Sequence, residues 1–481
     1  MHLSPEEETK LLQLWQKILE IIDVKLKQPP LNLDATPDSA TPDSNVSQAR
    51  PATENKGFFG RFRGTANEAS TDSNTLTPGP IDHFPAMTPS QLRQACWYMY
   101  KHDHPDDLLL RFLRHQKWNV PNAFDMLINT LKWRTQERVD DDIMFHGEEG
   151  ALSTIRTSPD KHARDLAEGF MKQLRRGESY IHGVDKQGRP ICIIRARLHH
   201  SGDQSVKSME RGIIWTFETT RLLMKSPATS SVSPELSPHR LLTSLHPFEF
   251  IPKTPTGFPG SNEKNRHQLL FFDMTSFGIS NMDYTPLKFM ISLFEGYYPE
   301  AFSDVIVHKA PWLFQGFWRI IKGWMSAEAV EHVHFTNTVE DLETLIPRGN
   351  ILKEYGGEDE WVFRYEEVRE GENEALGRTE AREELLRERG EMGEKVEGLT
   401  RKWIRASRER QDVTEIKRER EVHISAMQEG YWKLDPMIRA RSFYDRWGVI
   451  HGGNENSTAS STHHQNGVAQ KTMEGVTQVT V

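Results

Sequence analysis

Two cysteines in 481 residues, Cys96 and Cys192, exclude a disulfide framework and a thiolate zinc site, and they suit a reduced, intracellular compartment. Long apolar runs are also missing. Nothing approaches the roughly 18 consecutive apolar residues of a membrane span, and Glu6, Glu7 and Glu8 stand where a secretory leader would be basic and then apolar. The chain is therefore read as neither secreted nor membrane-spanning. Hydrophobic residues make up only 36% and mean hydropathy is −0.64, so part of the chain is expected to stay outside any packed core. Neither sign of charge dominates. Sixty Lys and Arg against 69 Asp and Glu leave a net −9, which argues against a surface basic throughout; local basic patches stay possible, and no nucleic-acid partner is expected. There is no glycine-rich phosphate loop and no Gly-x-Ser-x-Gly nucleophile turn. The paired histidines His199-His200 and His332-Val333-His334 lack a third ligand at usable spacing, so no metal is expected. Asp273 ends an apolar run and is either a catalytic carboxylate or the cap of the following turn; with no base or nucleophile nearby, the cap is the better reading. No catalytic residue and no cofactor are assigned.

What is present divides the chain. Residues 1–27 read as a helix with Ser4 as N-cap, Pro5 at the first position and Glu7 closing a capping box; Leu11, Leu12, Trp15, Ile18, Leu19 and Ile22 form a stripe that should dock. Residues 28–87 are a polar linker. Within it Gly57, Phe58, Phe59, Gly60, Arg61, Phe62 and Arg63 form an aromatic and basic island, either a docking or membrane-touching peptide or a local cluster in disorder. Helical periodicity over 91–100, 106–115 and 121–138 makes 88–150 a small helical module. From 151 to 365, apolar runs at 191–194, 269–274 and 305–308 read as buried strands. Helices at 205–225, 285–297 and 311–325 alternate with them, which predicts an α/β domain with a mostly parallel sheet, interrupted by a Pro- and Ser-rich insertion at 226–267. Residues 366–450 form a charged helical extension. Its glycines at 371, 377, 390, 393 and 398 are expected to interrupt the helix, and its aromatic end at 443–447 to dock on the globular part. A polar tail, 451–481, should be disordered.

The segment 311–325 stands apart. Its polar side chains are confined to Gln315, Arg319 and Lys322, one narrow stripe, while Trp312, Phe314, Phe317, Trp318, Ile321 and Trp324 crowd the rest. Such a helix is either wholly buried or faces something other than water on two sides. Gly316 and Gly323 weaken a core helix and suit a moving lid, and the tryptophans suit a membrane interface.

These motifs together resemble the CRAL-TRIO lipid-binding family in its fungal phosphatidylinositol-transfer branch. The resemblance is carried by residues 110–118 with Ala123, Trp133 and Arg134, by the turn at 185–190, by 272–283, by Tyr297, Tyr298, Pro299 and Glu300, by 307–312 and by 352–357. It implies an α/β fold that encloses one lipid, no covalent chemistry, and a gating helix at 312–325 that opens at a membrane. It also implies head-group candidates: Thr275, Ser280, Tyr298, Glu300 and, beside Glu300 in space, Lys117. Two places depart from the branch. Gln116 stands where an Arg contacts the inositol phosphate and His332 where a Lys does, and both weaken charge-assisted phosphate recognition. The expected function is intracellular lipid binding and transfer, the ligand being a phospholipid such as phosphatidylinositol or phosphatidylcholine or a sterol-like lipid. The protein should be cytoplasmic and touch membranes transiently. The alternative is a lipid-sensing adaptor that recruits a protein partner through 366–450.

Overall fold

The computed structural model describes residues 3–23, 87–224 and 267–450. Apart from residues 87 and 267, the linker 28–87, the insertion 226–267 and the tail 451–481 lie outside these, as does the island at 57–63.

Helix α1 (Pro5–Ile22) starts at the capping box read from the sequence. The Glu7 N–H donates to Ser4 Oγ at 3.2 Å and the Ser4 N–H to Glu7 Oε2 at 2.8 Å, satisfying two amides that a helix start leaves open. Its stripe of Leu11, Leu14, Trp15, Ile18 and Leu19 is buried. It packs on a bundle of α2 (Pro89–Tyr100), α3 (Pro105–His115) and α4 (Val120–Gln136). After a π-helical turn at Val139–Met144, α5 (Phe145–Thr157) and α6 (Lys161–Arg176) lead into the α/β domain.

That domain runs β1 (Ser179–Val184), β2 (Pro190–Arg195), α7 (Val206–Leu223), β3 (Gln268–Asp273), α8 (Tyr284–Gly296), β4 (Phe302–His308), α9 (Phe314–Lys322), α10 (Ala327–Glu331), β5 (Val333–Thr336) and α11 (Val339–Leu342). The strands lie in the order β1-β2-β3-β4-β5. Only β1 is antiparallel, which makes the sheet mostly parallel as the alternation of runs and helices predicts. Strands β1 and β5 escape the sequence reading: β5 is four residues long and only partly buried, and β1 carries His182 and Gly183 within its six residues. Register sorts the side chains. Ile193, Phe271 and Ile306 are aligned on one face, packed on Leu342, Ile346, Ile351 and Leu352; Ile194, Phe272 and Val307 are aligned on the other, facing α8 and α9. The turn after β1 is closed by Asp185, whose Oδ1 accepts from the Gln187 and Arg189 N–H groups at 2.8 and 2.9 Å.

One expectation is overturned. Helix α12 (Thr379–Arg408) runs unbroken through Gly390, Gly393 and Gly398, and α13 (Thr414–Ile438) follows it. Packing outweighs the ~1 kcal/mol that each glycine costs. Val396, Trp403, Ile404, Ile424 and Met427 are buried against the bundle of α1 to α4, and buried Glu397 accepts from Trp97 Nε1 at 3.0 Å while Arg93 pairs with it. A Cβ on Gly393 would lie 2.8 Å from Trp97 Cε2, so this glycine is what lets α12 approach α2. Arg420 of α13 grips Asp106 at 2.6 and 2.7 Å, and Trp15 Nε1 donates to the same carboxylate at 2.6 Å. Finally α14 (Phe443–Arg446) buries Phe443 and Tyr444 in the core of the α/β domain, where Tyr444 Oη accepts from the Ile181 N–H at 2.8 Å.

The helix glycines make a paired test. Gly393→Ala should destabilise by about 1–3 kcal/mol because Trp97 blocks the new methyl. Exposed Gly390, with nothing within 4 Å, should instead gain about 0.5–1 kcal/mol as alanine, both read by urea denaturation.

Candidate functional site

A cavity of about 150 Å³ opens between the sheet, α8 and α9. Its floor is Leu270, Phe272, Val305 and Val307; its walls are Leu287, Met290, Ile291 and Phe294 of α8 and Phe314, Phe317, Trp318 and Ile321 of α9. The period-two alternation of the strands and the three-to-four spacing of the helices bring these apolar residues to one place. Polar lining is confined to His199, Asn281 and Asp283, and those groups are largely occupied with one another. Asp283 caps α8 by accepting from the Thr285 N–H at 2.8 Å, and its other oxygen lies 3.1 Å from His199 Nε2. Burial works to raise the Asp283 carboxyl, but these hydrogen bonds outweigh it and hold it below the ordinary range. The Asn281 amide donates to the Arg197 and His199 carbonyls at 3.0 and 2.8 Å. A lining this apolar suits an apolar ligand. Sequence reasoning treated His199 only as a metal ligand and passed over Asn281 and Asp283; the Asp-x-Thr-Pro start of α8 was the available signal.

Helix α9 is shorter than the 311–325 expected, nine residues long. A turn with the Phe314 N–H donating to the Pro311 carbonyl at 2.9 Å precedes it, and Gly323 follows. Phe314, Phe317 and Ile321 point into the cavity wall; Gln315, Arg319 and Lys322 face out. Phe317 stacks on Tyr284 of α8 at 4.2 Å between centroids, and Trp324 meets the same ring edge-on at 5.5 Å. Two apolar side chains face water. Trp312 is 85% exposed and Ile320 47%.

The head-group candidates fall at opposite ends of the sheet. Past the carboxyl end of β3, Thr275 is half-buried, its N–H held by Asp273 Oδ1 at 2.9 Å, and Ser280 is exposed. Asp273 also accepts from Arg197 Nε at 3.0 Å and Tyr355 Oη at 3.2 Å, the arrangement of a turn cap. At the amino end, Tyr298 Oη donates to buried Glu218 at 2.8 Å. Glu300 receives Arg114 through both oxygens at 2.6–3.1 Å, and exposed Lys117 does not share that contact. Gln116 ends α3 with its amide 3.4 Å from Met126 Sδ. His332, 54% exposed, lies 3.4 Å from Asp304, which also faces His334 at 3.0 Å and Arg189 at 2.8 Å.

The whole chain has relatives that fit this geometry. A CRAL-TRIO domain-containing protein of Schizosaccharomyces pombe is 34% identical over 466 residues, 93% of this chain and 91% of the relative. The chain belongs to the CRAL/TRIO family. The family's CRAL/TRIO domain matches residues 174–235 and 244–357 and its CRAL/TRIO N-terminal domain residues 81–129, so the resemblance read from the motifs holds. Phosphatidylinositol transfer protein CSR1 of Eremothecium gossypii is 33% identical over 74% of this chain and 70% of its own length. Sec14 cytosolic factor of Schizosaccharomyces pombe is 24% identical over 52% and 74%. In this CRAL/TRIO chain no helix among the described residues is long and apolar enough to cross a membrane.

The Arg114–Glu300 pair is open to a pH test. Burial works to raise the Glu300 carboxyl, but the His267 ring at 3.7 Å and the hydrogen bonds from Arg114 outweigh it and set its pKa at about 2, below the ordinary 4.5. A depressed carboxyl stabilises the fold fully above about pH 4.5 and loses that contribution as pH falls toward 2, roughly 3 kcal/mol in all. Glu300→Gln should therefore lower stability at pH 7 by about that amount and flatten its slope between pH 5 and 3; an unchanged slope contradicts the pairing.

Proposed function

We propose that this chain is an intracellular, cytoplasmic lipid carrier that holds one lipid in the α8–α9 cavity and exchanges it at membrane surfaces by movement of α9. The observation that carries the reading is the double exposure of α9. Its inner residues Phe314, Phe317 and Ile321 line an apolar cavity, while Ile320 on its outer side and Trp312 in the turn before it face solvent, as do basic Arg319 and Lys322. Burying acyl chains supplies ~0.8 kcal/mol per methylene, which needs no covalent chemistry and no cofactor. The ligand is a phospholipid such as phosphatidylinositol or phosphatidylcholine, or a sterol-like lipid. The name of the phosphatidylinositol transfer relative supports a phospholipid. Gln116, which carries no charge, and the imidazole of His332 in place of a lysine ammonium favour a head group that asks less of cations than inositol phosphate does. Thr275 and Ser280 at one end, and Tyr298, Glu300, Lys117, Gln116 and His332 at the other, are the candidate polar contacts. The adaptor reading is weaker. The apolar positions of α12 and α13 are already covered by the helical bundle, which leaves a partner mainly their charged outer face.

Transfer between vesicles tests the reading. Trp312→Glu should slow exchange of a fluorescent phospholipid about tenfold or more, the factor that 1.4 kcal/mol of lost interfacial contact gives, with the amount of bound lipid unchanged. Equal rates in variant and wild type would sink the role of α9. Gln116→Arg with His332→Lys should raise phosphatidylinositol uptake relative to phosphatidylcholine; an unaltered ratio contradicts the significance of these two residues.

A further inference from the structure

Behind the lipid cavity is a second, smaller one of about 40 Å³, where α3, α4 and α7 meet the start of β3 and residues 297–301. Its lining is unlike the first. Three guanidinium groups, Arg111, Arg134 and Arg221, reach it, together with Gln268 and Tyr298. Two of the arginines are already matched. Arg134 is held by Glu218 at 2.6 Å and Asp140 at 2.8 Å, and Arg221 by Asp103 at 2.7 Å. Arg111 is different: it is 7% exposed and its Nε has no hydrogen-bond partner. Burial depresses its pKa, and attraction to Asp103, Asp107 and Glu300 does not make up the loss, whereas Arg134 and Arg221 are both raised. The Gln268 side chain, 2% exposed, also has an unpartnered atom, Oε1. A buried cation with an open donor is costly unless an anion meets it, and a planar guanidinium matches the tetrahedral oxygens of phosphate. The Gln268 amide can turn to present oxygen to a protonated phosphate or nitrogen to an ionised one.

Only a thin wall divides the two cavities. Phe217 lines the second, Phe294 lines the first, and their rings meet edge to face at 4.9 Å. We propose that the second cavity binds a phosphate group through Arg111 and Gln268, supplied either as a free anion or as the head group of the lipid next door. The second source rests on the carrier reading above; the first does not.

The full-length protein tests this with two probes. Inorganic phosphate, added against chloride at matched ionic strength, reports a free anion through a saturable rise in melting temperature. Uptake of dioleoylphosphatidylcholine against dioleoylglycerol from vesicles reports a lipid-borne phosphate. Arg111→Gln removes the cation, and Gln268→Glu, nearly isosteric, places a repelling charge at the same spot should the first variant fold poorly. Support is a phosphate-dependent rise in the wild type, weakened at least tenfold in apparent affinity by either variant, or a tenfold preference for the phospholipid that either variant abolishes. If the wild type shows neither, or if both variants behave as wild type, the site is overturned. Uptake of both lipids without preference, and no response to phosphate, would remove this site and leave the carrier standing. Uptake of neither lipid would remove the carrier and leave the phosphate titration to decide the site.

Discussion

One buried carboxylate organises the junction on which both cavities depend. Glu218, on α7, is fully buried and is met by Lys101 at the end of α2, by Arg134 of α4 at 2.6 Å and by Tyr298 after α8 at 2.8 Å. Burial alone would drive this carboxyl to its neutral form; Arg134 and Lys101 outweigh it and hold it well below the carboxylate range. A charge so placed is worth less as a source of stability than as a constraint, because removing any partner strands the rest in a medium that cannot solvate them. Four elements from two modules are thereby held in one arrangement. The neighbouring residue on α7, Phe217, then falls between the lipid cavity and the arginine-lined one.

The two cavities differ in physical type. The larger is walled by aliphatic and aromatic side chains, and its three polar residues are turned toward each other and the backbone, so its affinity is for hydrocarbon and its discrimination among head groups is small. The smaller adds three arginines and an open amide to a wall that is otherwise mostly apolar. Across the sheet, α12, α13 and α14 finish the structure. Glu148, fully buried, accepts from Tyr365 Oη at 2.6 Å and the Phe443 N–H at 2.9 Å and pairs with Arg446, so the chain after β5 is clamped to α5. On the proposed carrier reading the element that moves is α9, a nine-residue helix followed by Gly323 and held largely by aromatic contacts.

Much of this was legible in the sequence, wherever a local rule governed the outcome. The capping box of α1, the alternation of apolar runs and helices, the turn at Asp185 and the polar stripe of α9 all follow from spacing within a few residues. The family motifs added the cavity as an expectation. Contacts between distant residues were not legible: Lys101 and Glu218 are separated by 117 positions, Arg134 and Glu218 by 84, and nothing local marks them as partners. The partner of Glu300 was misjudged for the same reason, since Arg114 and Lys117 both lie near the end of α3 and only the fold decides which one reaches. Gly393 of α12 misled because propensity counts the cost of a missing Cβ and cannot see Trp97 occupying its place, while Gly390 and Gly398 are carried by the packing of the rest of the helix.

The central claim is that the apolar cavity between α8 and α9 is built for one lipid. A native mass spectrum of the full-length protein, purified from cells without added detergent, measures this most directly. The account predicts a single adduct with the mass of a membrane lipid, identified on extraction, present at one per chain and lost when Leu270→Trp fills the floor of the cavity. A chain at its bare mass that also gains no adduct after incubation with phospholipid or sterol vesicles would contradict it.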